Sequence, residues 1–199
     1  EANQREAVVI TPDHLLPDGD IGMRVGDHMT FTELLRLGLI ASSNDAMTAL
    51  ASNASPDTVS IMNEKAKELG MKHTRFNNPT GLDINTEVSG AYGTARDVAK
   101  LADTFYRLYP QYFQLTRYPA VTVRHEDRVL MAPATDTPLL GVPGLMGAKT
   151  GYTDLAGGTL VAVVDLELGH PVIAVVLASS ERGRFSDIKT LVNAARNTL

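Results

Sequence analysis

Two near-continuous apolar runs, residues 159–166 and 172–178, flank Gly169-His170-Pro171 and constrain the fold of this chain more than any other feature. A half-exposed strand alternates apolar and polar residues; runs apolar at nearly every position are expected in a sheet covered on both faces. The short Gly-Pro break makes the pair an antiparallel hairpin, and residues 185–195 read as a helix available to cover one face. Sheet texture extends back to about Tyr118, through Val121-Thr122-Val123 and Val129-Leu130. Near the start, Val8-Val9-Ile10 reads as a strand, followed by a loop rich in Pro, Gly and Asp as far as Gly26-Asp27.

Between these β segments the pattern is helical. Thr30-Phe31-Thr32-Glu33 is a capping box that opens a helix carrying Leu34, Leu35, Leu37 and Ile40. Ser42-Ser43-Asn44 then interrupts before Ala46, Met47, Leu50 and Ala51 resume the apolar face, which makes the interruption a candidate for chemistry. Ser55-Pro56 reads as the start of a second surface helix with Val59, Met62, Ala66 and Leu69 on one face, ended by Gly70. Thr94 caps another, with Asp97 in its first turn and Val98, Leu101, Ala102 and Phe105 as its buried stripe, stopped at Pro110. The expected organisation is one composite domain over residues 1–199: a mainly helical lobe over about 1–115 and a sheet lobe over about 116–199.

Composition narrows the chemistry. A net charge of -5 with no basic stripe argues against nucleic acid as a partner. With no Cys there is no disulfide framework, thiolate metal site or thiol nucleophile, and the redox compartment is not legible. His14, His28, His73, His125 and His170 lack ligand-like spacing, so no metal is expected and they read as surface or capping residues; no cofactor motif is present. No apolar run approaches the roughly 18 residues of a membrane-spanning helix, and residues 1–5 lack signal-peptide character. Any export signal or anchor is therefore expected outside these residues.

The strongest local motif is Gly147-Ala148-Lys149-Thr150-Gly151-Tyr152-Thr153, placed just before a strand. Lys149 supplies charge and Thr150 a hydroxyl for an anion, while Gly151 lets a substrate backbone approach. An exposed turn entering a strand is the plainer alternative. Ser42-x-Asn44, alone, is equally compatible with a solvent turn. Their order and spacing, Ser-x-Asn followed about a hundred residues later by Lys-Thr-Gly, match two signatures of the penicillin-recognising serine enzymes. Residues 34–51, 62–83, 94–102 and 139–157 resemble, in consecutive order, the serine-type D-alanyl-D-alanine carboxypeptidases, the low-molecular-mass penicillin-binding proteins.

That resemblance implies an α/β (α+β) fold of the β-lactamase/DD-peptidase type, with an antiparallel sheet flanked by helices beside a helical lobe. It implies an acyl-enzyme hydrolase of the cell envelope whose substrate is a peptidoglycan stem peptide ending in D-Ala-D-Ala and which β-lactam antibiotics acylate. Carried over by position, Ser42 resembles the hydroxyl that relays a proton to the leaving amine. Asn44 resembles the amide that holds the substrate backbone and the catalytic lysine. Lys149 and Thr150 resemble the receivers of the terminal carboxylate, and Tyr152 N–H an oxyanion donor. Arg184 resembles a basic residue near the cleft, with a solvated arginine in a first helical turn as the alternative. Asn78-Pro79-Thr80-Gly81-Leu82-Asp83 also matches and reads as a structural turn that positions the helical lobe.

The family's Ser-x-x-Lys is not in its expected place. Ser186-Asp187-Ile188-Lys189 has the spacing, but in a segment resembling the family's last helix, away from the cleft. The expectation is that the nucleophile, its helix and the first strands belong to sequence before Glu1, so that this polypeptide alone is inactive and, with an uncovered sheet edge, poorly stable. Two alternatives accompany this reading: a non-catalytic protein that binds peptidoglycan ends, and a relative of the serine β-lactamases, which shows no Glu-x-x-Leu-Asn here.

Overall fold

The structure is a computed structural model that describes residues 7–17, 21–125, 128–167 and 169–198. Residues 1–5, read above for signal character, and residues 18–20 of the loop that follows the first strand lie outside the described residues. The first half of the chain forms β1 (Ala7–Val9), β2 (His28–Thr30), α1 (Phe31–Ile40), α2 (Asn44–Ala54), α3 (Thr58–Glu68), β3 (Arg75–Phe76), β4 (Ala91–Tyr92) and α4 (Ala95–Leu108). The second half forms α5 (Pro110–Phe113), β5 (Ala120–His125), β6 (Arg128–Pro133), β7 (Leu145–Thr153), β8 (Gly157–Asp165), β9 (Pro171–Ser179) and α6 (Gly183–Arg196). These elements group into two compact units that interleave along the chain, Glu1–Thr58 with Tyr118–Thr135, and Val59–Arg117 with Asp136–Leu199.

In the first unit β1 and β2 pair antiparallel, with Val8 opposite Met29, and β5 and β6 form a hairpin with Val123 opposite Leu130. The predicted capping box opens α1: Glu33 N–H donates to Thr30 Oγ1 at 3.2 Å and Thr30 N–H to Glu33 Oε2 at 2.8 Å. Leu34, Leu37 and Ile40 of α1 are fully buried, as are Met29 and Val121.

Two of the histidines are buried: His14, which caps as the surface-or-capping reading allowed, and His125, which does neither and corrects it. His14 is buried because its ring joins two segments: Nδ1 accepts from Thr11 N–H at 3.2 Å, which leaves Nε2 to donate to Ser52 Oγ at 2.8 Å. His125 is buried at the end of β5, where Nε2 accepts from His28 N–H at 3.0 Å beside the Asp27–Arg128 ion pair. Burial holds the His14 pKa below its usual value, with Asp13 opposing the shift. A depressed histidine binds fewer protons folded than unfolded. Its contribution is complete above the unfolded value of 6.5 and is lost as pH falls through the folded value. The protection factors of α2 amides against hydrogen exchange are therefore expected to fall as pH drops below 6.5, and His14→Gln is expected to remove that dependence.

In the second unit β7, β8 and β9 form an antiparallel meander, and its two faces are covered as the apolar runs require. Ile188 and Val192 of α6 pack with Leu145, Ala148, Leu160 and Val176 on one face, while Ala102, Phe105 and Phe113 pack with Val163 on the other. The rings of Phe105 and Phe113 meet edge to face at 5.7 Å. Two local readings change. The α4 stripe runs through Ala102, Phe105 and Tyr106, which leaves Leu101 38% exposed. Helix α3 begins at Thr58 instead of Pro56, because Pro56-Asp57 form a turn and Thr58 Oγ1 donates to Ala51 O and Ser55 O, each at 2.6 Å.

Candidate functional site

Lys149, Thr150 and Gly151 lie in the middle of β7, opposite Val161, Leu160 and Thr159 of β8. They do not stand before a strand, and the exposed-turn alternative fails with that placement. The glycines concealed the strand from a sequence reading, since glycine is depleted in strands. Each has a steric reason to be there. A Cβ on Gly147 would sit 2.5 Å from Thr116 Oγ1 and 2.6 Å from Phe113 Cε1, and one on Gly144, whose φ is +76°, would strike the Asp165 carbonyl. A Cβ on Gly151 would sit 2.6 Å from Thr159 Oγ1, so packing within the sheet requires glycine there before any ligand is considered. Among the described residues β8 is the strand paired with β7, and the opposite edge of β7 carries no strand.

Charge gathers on this strand. Lys149 Nζ donates to Thr150 O at 2.9 Å, and Arg184 Nη1 of α6 donates to Gly151 O at 2.7 Å, so two cations rest on successive carbonyls of β7. Arg184 is only 7% exposed and its guanidinium lies 5.0 Å over the Phe185 ring, which excludes the solvated-arginine alternative. Thr150 is buried as well, while the Tyr152 side chain is 48% exposed. Burial pushes the Lys149 amine down to about 8, Asp136 working against that shift and Arg184 with it. Asp136, which the sequence reading missed, is 3% exposed with Oδ2 buried and without a hydrogen-bond partner. Burial raises its carboxyl to about 6, opposed by its own backbone N–H and by Lys149. Nothing in Thr135-Asp136-Thr137-Pro138 signals this, because a lone acidic residue before a proline reads as a turn.

The Asn78–Asp83 turn is tied to the same strand. Asp83 accepts from Thr153 Oγ1 at 2.9 Å and from Leu155 N–H at 3.0 Å, and so holds the β7–β8 turn. Within the loop, Asn78 Oδ1 accepts from Gly81 N–H at 2.7 Å.

Ser42 and Asn44 belong to the first unit. Helix α1 ends at Ile40 and α2 opens at Asn44, with Ser43 as its cap accepting from Ala46 N–H at 3.1 Å. Between the helices Ser42 adopts φ +60°, a conformation that costs a non-glycine residue about 1 to 2 kcal/mol. Asp45 is buried and fixes the turn by accepting from Leu16 N–H at 2.9 Å. The Ser186–Lys189 spacing carries no chemistry: Ser186 Oγ donates to Gly183 O at 2.8 Å, and both side chains are exposed on α6.

A family model described as D-alanyl-D-alanine carboxypeptidase matches residues 17–181. The chain is 34% identical over 193 residues to the D-alanyl-D-alanine carboxypeptidase DacF of Bacillus subtilis, covering 94% of this chain and 48% of that protein. It is 32% identical to a D-alanyl-D-alanine endopeptidase of Pseudomonas aeruginosa, covering 85% of this chain and 54% of the other. The chain thus spans about half the length of the curated relatives it matches. Among solved structures, it is similar to the D-alanyl-D-alanine carboxypeptidase of Mycobacterium tuberculosis H37Rv, with a TM-score of 0.83 at 26% identity over 96% of this chain and 75% of that one. It is also similar to ampicillin-bound penicillin-binding protein D2 of Listeria monocytogenes, with a TM-score of 0.79 at 26% identity over 96% of this chain and 78% of that one. The fold is the expected β-lactamase/DD-peptidase type, and the chain belongs to the D-alanyl-D-alanine carboxypeptidase family.

Proposed function

We propose that this chain carries the carboxylate-receiving and proton-relaying residues of a serine-type D-Ala-D-Ala carboxypeptidase that acts on peptidoglycan stem peptides in the cell envelope. The observation that carries the reading is the pairing of Lys149 with buried Thr150 on β7, with Arg184 braced on the next carbonyl. An ammonium fixed on β7 suits the terminal carboxylate of the substrate, and an extended peptide is expected to add as a strand along the edge of β7 beyond Ala148, whose N–H is taken by Thr116 Oγ1.

In the reaction a serine oxygen attacks the carbonyl of the penultimate D-Ala. The C–N bond to the last residue breaks, and the serine proton ends on the leaving amine. Water then displaces the acyl group and restores the serine. In this reading Ser42 relays the proton and Asn44 holds the substrate backbone. Tyr152 N–H steadies the oxyanion, a contribution of roughly 3 kcal/mol to the barrier. Lys149 and Thr150 fix the carboxylate, and Arg184 adds positive potential. β-Lactams enter by the same route because they too present an amide, in their case strained by the four-membered ring, and a carboxylate. Among the described residues no helix is long and apolar enough to cross a membrane.

Penicillin acylation of the complete gene product tests this. The expected result is one acyl group per chain on a serine of a Ser-x-x-Lys sequence other than residues 186–189, together with release of D-Ala from a D-Ala-D-Ala peptide. No labelling, or labelling at Ser42 or Ser186, would overturn the assignment. Rapid loss of the acyl group without carboxypeptidase activity would instead point to a β-lactamase.

A further inference from the structure

The peptide unit that joins Gly151 to Tyr152 is gripped at its oxygen end. Beyond the irregularity at residues 145–147, β7 runs in regular register with β8, from Gly147 opposite Val163 to Thr153 opposite Gly157. In an antiparallel ladder the N–H and C=O of one residue point the same way, and successive residues alternate. Ala148 N–H points away from β8, since it donates to Thr116 Oγ1 at 3.1 Å. Counting on by twos, Thr150 and Tyr152 present their N–H groups to that same edge, and Gly151 turns its carbonyl toward β8. There Gly151 O accepts from Arg184 Nη1 at 2.7 Å and from Thr159 Oγ1 at 3.1 Å. A trans peptide is planar, so the C=O of Gly151 and the N–H of Tyr152 point in opposite directions on one rigid unit.

Arg184 is built into this place. It is 7% exposed, its Nε is buried without a hydrogen-bond partner, and its guanidinium lies 5.0 Å over the Phe185 ring. Its backbone is held as well: Arg184 N–H donates to Ser180 O at 3.1 Å, and Gly183 N–H to Ser180 Oγ at 2.9 Å. A cation serving only as a diffuse source of positive potential needs neither burial nor a fixed carbonyl partner. A charged donor on a carbonyl strengthens the N–H at the other end of the same amide, because hydrogen bonds polarise one another in a low-dielectric site. We propose that Arg184, with Thr159, is a positioning residue of the acylation step: by holding and polarising the Gly151 carbonyl it fixes the direction of Tyr152 N–H and makes it a stronger oxyanion donor. The proposal rests on the reading of Tyr152 N–H as that donor. It gives Arg184 a role in the rate of reaction as well as in attraction of the carboxylate.

The experiment acylates the complete gene product with benzylpenicillin, in native form and as Arg184→Met and Thr159→Ala. In this step a serine oxygen adds to the lactam carbonyl, the lactam C–N bond breaks, and the serine proton ends on the ring nitrogen, leaving an ester whose carbonyl oxygen occupies the oxyanion position. Single-turnover kinetics over a range of penicillin concentrations separate initial affinity from the acylation rate constant, and infrared spectroscopy reads the ester carbonyl. In Arg184→Met the rate constant is expected to fall about tenfold, a part of the roughly hundred- to thousandfold lost with a whole oxyanion donor, while initial affinity falls less than about threefold. The ester band moves to higher wavenumber, since a weaker donor lengthens the C=O bond less. Thr159→Ala shifts both readouts the same way, with a rate loss of about two- to threefold. A loss confined to initial affinity overturns the proposal, and so does an ester band that stays in place in both variants. Should Arg184→Met not fold, Thr159→Ala decides alone by the same two readouts. A native protein that penicillin does not acylate removes the carboxypeptidase reading and this inference with it, whereas native acylation with unchanged variants removes the inference only.

Discussion

Replacing Lys149 by Met is expected to lower affinity for a D-Ala-D-Ala peptide by about two orders of magnitude, since truncating one side of a desolvated charge pair costs about 2 to 5 kcal/mol. Methionine keeps the apolar stem that packs along β7, so the meander is expected to survive. The loss should appear in affinity for the terminal carboxylate and be small for the C-terminal amide of the same peptide. Lys149→Arg should not restore it, because a planar guanidinium cannot take the place of a compact ammonium on the Thr150 carbonyl. A second consequence distinguishes lost charge from disturbed structure: without Lys149 the Asp136 carboxyl loses an opposing influence and titrates above about 6. An Asp136 that titrates unchanged in Lys149→Met would show that the two groups do not interact.

Gly147→Ala is expected to cost about 3 kcal/mol of stability, which combines overpacking with the loss of a buried hydrogen bond. The added methyl would sit 2.5 Å from Thr116 Oγ1 and 2.6 Å from Phe113 Cε1. Thr116 Oγ1 cannot retreat freely, since it donates to Phe113 O at 2.8 Å and accepts from Ala148 N–H at 3.1 Å. The strand must therefore move away from residues 113–116, two residues before Lys149. Urea unfolding followed in the second unit should show a lower midpoint with an unchanged slope. Thr116→Ser should recover little of it, because its hydroxyl stays in the path. A neutral Gly147→Ala would show that β7 is not held against residues 113–116.

Much of this was legible in the sequence because burial on two faces leaves a plain pattern. The runs at 159–166 and 172–178 became β8 and β9, with α6 on one face and α4 and α5 on the other. The Thr30 and Thr94 caps stand where their oxygens meet backbone N–H groups three residues on. Strand β7 was not legible as a strand. Its glycines at 147 and 151 are dictated by Thr116, Phe113 and Thr159, residues brought near only by the fold. Arg184 was ambiguous for the same reason, since a basic residue in a first helical turn reads alike in solvent or on a carbonyl. Asp136 was invisible, because the burial of its carboxyl is set by the fold and not by any local pattern. His14 caps as the surface-or-capping reading allowed, by taking the Thr11 N–H, whereas the burial of His125 was not legible because its partner, His28 N–H, is far away in the sequence.

The central claim is that β7 receives a carboxylate through Lys149 and Thr150. It is tested most directly by following backbone amide resonances during titration with diacetyl-L-Lys-D-Ala-D-Ala and with its C-terminal amide. The account predicts shifts concentrated at residues 149–152 and at Arg184, with the acid bound at least about tenfold more tightly than the amide. Equal affinity for acid and amide, or shifts that leave β7 untouched, would contradict it.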